Sequence, residues 1–176
     1  MATTTWNLDP THSEVNFRVR HLVISTVSGK FKQFSSSVTT EEDDFTTAQI
    51  TFDVETASVD TGMEMRDNHL RSDDFFNSEA FPKMTFVSKS VRNIEGSEYA
   101  IDGNLTIRDV TQPFTLKAEF GGIAKDPYGQ VKAGFEVEGK VNRKEFGLQW
   151  DVLTEAGGAV VADEVKFHVN VQFVKG

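Results

Sequence analysis

Val165-Lys166-Phe167-His168-Val169-Asn170-Val171-Gln172-Phe173 alternates apolar and polar side chains without a break. Successive side chains of a strand point to opposite faces, so this stretch writes a β-strand with one apolar face and one wet face. Working outward from it, the pattern recurs along the chain. Val15, Phe17 and Val19 interleave with Asn16 and Arg18, and Ala48, Ile50, Phe52 and Val54 interleave with Gln49, Thr51 and Asp53. The same phase runs through Tyr99, Ile101, Gly103, Leu105 and Ile107, through Phe114, Leu116, Ala118 and Phe120, and through Ala133, Phe135, Val137, Gly139 and Val141. Met84 and Phe86 begin another strand, and a short one at Thr5–Leu8 stops at Asp9-Pro10. Between Gly29 and Val38 the spacing loosens, which predicts a bend or bulge. Glu41-Glu42-Asp43-Asp44 has no apolar period and reads as a solvated hairpin tip.

Short turns between such strands make neighbours antiparallel. A strand of about ten residues reaches roughly 33 Å, and about eight of them satisfy their edges best by closing into a barrel. The expected fold class is therefore all-β: a single antiparallel β-barrel of about eight long strands with one or two short helices, filling residues 1–176 as one domain. A membrane barrel faces its apolar side to lipid; the charge density of the polar face here favours an apolar interior instead. Thr61-Gly62-Met63-Glu64 has capping-box spacing, which predicts a helix over Gly62–Ser72. A second short helix or turn is expected at Asn142–Phe146, before Gly147.

Composition narrows the partners. With 18 Lys plus Arg against 27 Asp plus Glu, the net charge is −9, which disfavours nucleic acid. No apolar run is long enough for a bilayer-spanning helix, so no stable membrane insertion is expected. The N-terminus shows no charged segment followed by an apolar run, so the expected location is cytoplasmic, or periplasmic if a leader has been removed. Cysteine is absent, which rules out disulfides and thiolate chemistry. The 15 Phe against 2 Trp and 2 Tyr fit either a packed Phe-rich core or a cavity lined by those rings.

Candidate chemistry is sparse. His12, His21, His69 and His168 include no pair at close ligand spacing, so no metal and no cofactor are expected. Arg66-Asp67-Asn68-His69 sets Arg66 and His69 on one helical face, an ordinary surface arrangement. Nucleophile elbows, phosphate loops and dinucleotide fingerprints are missing from the sequence. Small residues in the apolar phase (Ala48, Gly103, Ala118, Ala133, Gly139) serve either barrel curvature or an elongated void.

Longer blocks point further. Trp6-x-Leu8-Asp9-x-x-His12-Ser13-x-Val15-x-Phe17-x-Val19-x-His21, then Val59-Asp60-Thr61-Gly62, Arg66-Asp67-Asn68-His69-Leu70, Asp74-Phe75-Phe76 and Phe81-Pro82 resemble the YceI-like family. Gly103-Asn104-Leu105-Thr106-Ile107, Val110-Thr111 and Arg143-x-x-Phe146-Gly147 continue the likeness in order over almost the whole chain. One departure is Asp109, where the family usually has Gly in the turn after Leu-Thr-Ile; Asp tolerates left-handed backbone.

The resemblance implies a lipocalin-like barrel whose interior binds a polyisoprenoid, an isoprenoid quinone or a fatty-chain ligand, for storage or transport and without catalysis. Sequestering about 20 hydrocarbon carbons at roughly 0.8 kcal/mol each gives a gross drive near ~16 kcal/mol, reduced by ordering costs. The expected apolar lining is Phe17, Val19, Ile50, Phe52, Val54, Phe86, Ile101, Leu105, Phe135, Val137, Phe167 and Val169, with Leu70, Phe75 and Phe76 closing the cavity. The ligand head group is expected among Arg18, His21, Arg66, His69 and Arg143. The alternative is a hydrolase or isomerase acting on a lipid-like substrate with His21 or His69 and Asp67; a third reading is an interaction module with a solid lumen. Association as a homodimer is left open.

Overall fold

A computed structural model describes residues 2–22, 24–148 and 161–176. Its strands are Thr3–Leu8 (β1), Glu14–His21 (β2), Ser25–Phe31 (β3), Phe34–Glu41 (β4), Asp44–Glu55 (β5), Val59–Asp60 (β6), Lys83–Glu95 (β7), Glu98–Ile107 (β8), Val110–Lys125 (β9), Val131–Asn142 (β10) and Val161–Lys175 (β11). One α-helix, Glu64–Arg71 (α1), and short 3-10 turns at Pro10–His12, Thr56–Ser58 and Arg143–Phe146 connect them.

The sheet runs β4-β5-β7-β8-β9-β10-β11 with antiparallel neighbours, and β1 closes it by pairing with both β4 and β11. Trp6 sits opposite Val38 on one side and Lys175 on the other. Closure removes the free edges that a long sheet would otherwise expose. Further along β11, β2 takes over from β1, pairing Val169 with Val15 and Val165 with Val19, and carries β3 and then β6 outward. The loose spacing after Gly29 is thus a break between two strands, β3 and β4, rather than one bulged strand.

Two apolar clusters plug the barrel. At the end where both chain termini lie, Trp6 is fully buried beside Val38, Phe45, Ala133, Val171 and Phe173. Rings pack there closely: Trp6–Phe45 centroids are 5.1 Å apart, and Phe45–Phe135 and Phe120–Phe135 are each 4.9 Å apart. The Trp6 indole donates to Thr40 Oγ1 at 3.0 Å, satisfying the polar atom of an otherwise apolar anchor. At the opposite end, Phe31, Val59, Ile107, Val141, Phe146 and Leu148 pack together, with Leu70 and Phe76 against them. We call these the termini end and the helix end.

Three local expectations need correction. Thr61 does not cap the helix. Met63 stands at the N-cap without a side-chain bond, because the Thr61 hydroxyl is drawn to Asp67 and also accepts from Arg66 Nε at 2.7 Å. The helix accordingly starts at Glu64 and ends at Arg71, short of the span from Gly62 to Ser72. In the turn after Ile107 the left-handed residue is Arg108 (φ 57°), not Asp109. Its guanidinium donates to the Asp73 carboxylate at 2.9 Å and the Asp73 carbonyl at 3.0 Å, which anchors the strained position.

Candidate functional site

Between the two plugs the inward side chains leave a cavity of about 140 Å³. Its wall extends from Phe45 and Phe173 near the termini end to Val54, Met84 and Leu105 near the helix end. Among the described residues only Ser36 and Tyr99 bring hydroxyls to it, and Ser36 Oγ donates to Thr51 O at 2.8 Å. Every other described side chain in the wall is hydrocarbon or thioether. Ile50, Phe52, Val91, Phe114, Leu116, Phe167 and Val169 point inward yet stay only half-buried, because they face this void. An apolar cavity of ~150 Å³ stays dry and accepts a guest the size of benzene. A longer chain therefore requires wall side chains to part.

Ten residues of the expected lining stand in the wall: Ile50, Phe52, Val54, Phe86, Ile101, Leu105, Phe135, Val137, Phe167 and Val169. Phe17 and Val19 do not. The Phe17 ring lies over Gly29, 5.3 Å from Phe31, and Val19 faces Val27 on the β2–β3 hairpin beyond the cavity. Leu70 and Phe76 belong to the helix-end plug, Phe76 edge-on to Phe31 at 5.7 Å, and Phe75 is buried edge-on to His69 at 5.1 Å. Sequence reasoning missed other parts of the wall, among them Val15, Phe45, Met84, Val91, Tyr99, Phe114 and Leu116. Most sit in phase on strands already recognised. Val91 escaped because a register shift between Ser88 and Ser90 turns the strand over, putting Val91 on the same inner side as Met84 and Phe86.

The expected head-group residues do not converge. Arg143 is 3% exposed and ties backbone together, donating to Ala162 O at 2.9 Å and Leu148 O at 2.7 Å. Arg66 holds Thr61, with Nη2 on its carbonyl at 2.8 Å. His69 Nε2 lies 2.8 Å from Asp74 Oδ2. His21 ends β2, where its carbonyl accepts from Ser25. Arg18 alone faces a groove that shares wall residues with the cavity. Asp67 is the buried residue of α1, accepting from the Thr61 amide at 2.8 Å. None of His21, His69 or Asp67 reaches the cavity wall.

At the termini end, Asp9 accepts from Thr11 Oγ1 at 2.7 Å, contacts His12 Nδ1 at 2.8 Å and meets Lys132 Nζ at 3.3 Å. The Thr11 hydroxyl first, then His12, holds the Asp9 carboxyl far below the usual carboxylate range. This cluster fixes the link between β1 and β2 against β10. The remaining histidine, His168, faces the outer groove.

The YceI-like domain model matches residues 6–173. A UPF0312 protein of Staphylococcus epidermidis is 39% identical over 171 residues, covering 97% of each chain. The crystal structure of the Campylobacter jejuni YCEI protein superposes with a TM-score of 0.76 at 32% identity, over 88% of both chains. A polyisoprenoid binding domain from Saccharophagus degradans shares the fold, with a TM-score of 0.66 at 14% identity over 97% of this chain and 98% of that one. A match of sequence and architecture running nearly from end to end places this chain in the YceI-like family.

Proposed function

We propose that the protein binds one long apolar chain, an isoprenoid or related amphiphilic lipid, inside its barrel, and stores or carries it without chemical change. The observation that carries this reading is the cavity itself: a void along the barrel interior with only two hydroxyl-bearing side chains in its wall among the described residues. Such a wall rewards the transfer of hydrocarbon from water and offers almost nothing to a polar substrate. The polyisoprenoid binding described for the Saccharophagus degradans domain supports the same ligand class. Two further observations favour binding over catalysis and over a solid lumen: the residues of the enzymatic alternative lie away from the cavity, and the described side chains do not fill the lumen.

Organic extraction of the purified protein followed by mass spectrometry tests this directly. Recovery of about one long-chain lipid per protein is expected. Lipid-free protein from both native and recombinant sources, with no uptake of added farnesol or oleate, would sink the reading. Proteins carrying His21→Ala or His69→Ala are expected to retain the lipid unchanged.

A further inference from the structure

One strand of the barrel is held unequally by its two neighbours. β10 pairs with β11 over its whole course, from Lys132 opposite Val174 to Asn142 opposite Glu164. Against β9 the ladder stops at Glu138 opposite Lys117, and residues 139–142 of β10 have no ladder partner among residues 110–116 of β9. The slot between them is filled by side chains. A Cβ placed on Gly139 would stand 2.7 Å from Leu116 Cδ2 and 2.8 Å from Phe114 Cζ, so the missing side chain is what lets these two lie across the gap. Both also line the internal cavity.

Outside this seam lies a groove of about 1100 Å³, and Tyr99, Leu116 and Phe167 border both the groove and the cavity. The floor carries a row of cations. Lys140 stands directly opposite Lys166, and Lys166 directly opposite Arg18, on three adjacent strands. Like charges directly opposed on a sheet cost stability, and none of the three makes an ion pair among the described residues. Glu138 and Glu98 also line the groove, with Glu98 3.9 Å from Lys117. A concentration of unpaired cations on a chain of net charge −9, ending at an interrupted ladder of the wall, asks for an anion.

We propose that the lipid enters sideways through the β9–β10 seam, displacing Leu116 and Phe114, and that its anionic head group, a carboxylate or phosphate, rests outside on the row formed by Lys140, Lys166 and Arg18. This deepens the lipid-binding reading and rests on it. The tail gains by burial, while the head keeps water and gains charge-assisted hydrogen bonds. A charged head pulled into the apolar cavity would pay a desolvation penalty with no partner there.

Two probes with the same tail separate the parts of this proposal. Oleate and oleyl alcohol are titrated into the wild-type protein and into the double variant Lys140→Gln/Lys166→Gln at low salt. Neutralising these exposed residues relieves repulsion and leaves the fold intact. Oleate binding is expected to weaken about tenfold or more, and oleyl alcohol binding to stay within about twofold. Equal oleate affinities in the two proteins would overturn the head-group assignment, whereas binding of neither probe to wild type would overturn the lipid reading underneath it. Millimolar inorganic phosphate is expected not to displace oleate; displacement would make the row a site for a free oxyanion instead. Leu116→Ala is expected to speed uptake of oleyl alcohol several-fold in stopped-flow measurements, and an unchanged rate would remove the seam as the entrance.

Discussion

The termini end and the middle of the barrel use the same alternation and the same residue types to opposite effect. Around Trp6, rings from β1, β5, β9 and β10 meet at centroid distances near 5 Å and leave no surface exposed on the indole. Midway along the barrel, Ile50, Phe114, Phe167 and Val169 occupy equivalent inward positions but border empty space. Large rings converging from several strands close the first region. In the second, smaller inward residues such as Ala118 and Val137 stand where more rings would be needed to fill the axis. Inward orientation is therefore necessary for a core and insufficient for a packed one.

The sharpest way to break this contrast is Trp6→Ala. It removes a fully buried ring and leaves Thr40 without its indole donor, so a loss of about 3–5 kcal/mol is expected in denaturant unfolding. A loss below about 1 kcal/mol would mean that the termini end is no better packed than the middle. Next in size is Asp9→Asn, which weakens the contacts to His12 and Lys132 and should cost about 1–2 kcal/mol at neutral pH. Because the folded carboxyl is depressed, its contribution is present above the ordinary carboxylate range and is lost as pH falls through the folded value. The stability gap between wild type and Asp9→Asn should accordingly narrow below about pH 4; a constant gap would deny the carboxylate its role.

A matched pair of small deletions sharpens the comparison further. Ile107→Val in the helix-end plug should cost about 1–1.5 kcal/mol, and Ile50→Val at the void about 0.5 kcal/mol, both read from unfolding midpoints. Equal costs would indicate that Ile50 is packed as tightly as Ile107. Filling the void probes the same contrast from the other side. Val169→Phe should cost less than about 1 kcal/mol, where overpacking a tight core typically costs about 1–3. Its larger effect is on content: the variant should emerge from purification with markedly less extractable lipid.

How far the sequence spoke depends on what kind of information each feature needs. Alternation through Val165–Phe173 or Val15–Val19 names the strands and their inward faces, since a side chain's face follows from counting by two. Counting fails wherever a residue is inserted. Val91 was missed because of the shift near Ser88, and Phe45 lies beyond the irregular register between Thr39 and Glu41. The start of α1 was misread for a different reason. Thr61 had the right type and spacing to cap, but its hydroxyl had a better partner in the buried Asp67. Whether the interior is full depends on ring positions across the axis, and the interrupted β9–β10 pairing depends on which strands become neighbours. Neither is written in a local pattern.

Pairing between the first and last strands has a consequence for how the molecule comes apart. Lys175 lies opposite Trp6, Gly176 N donates to Thr5 O at 2.8 Å, and Glu42 N donates to Ala2 O at 2.8 Å. β1 is thus stitched into the wall by β4 and β11 together, where the outermost strands of most domains are the first segments to let go. Cutting the chain at a surface turn and joining β11 to β1 through a brief bridge should give a circular permutant with the same barrel, because the two strands to be joined are already side by side.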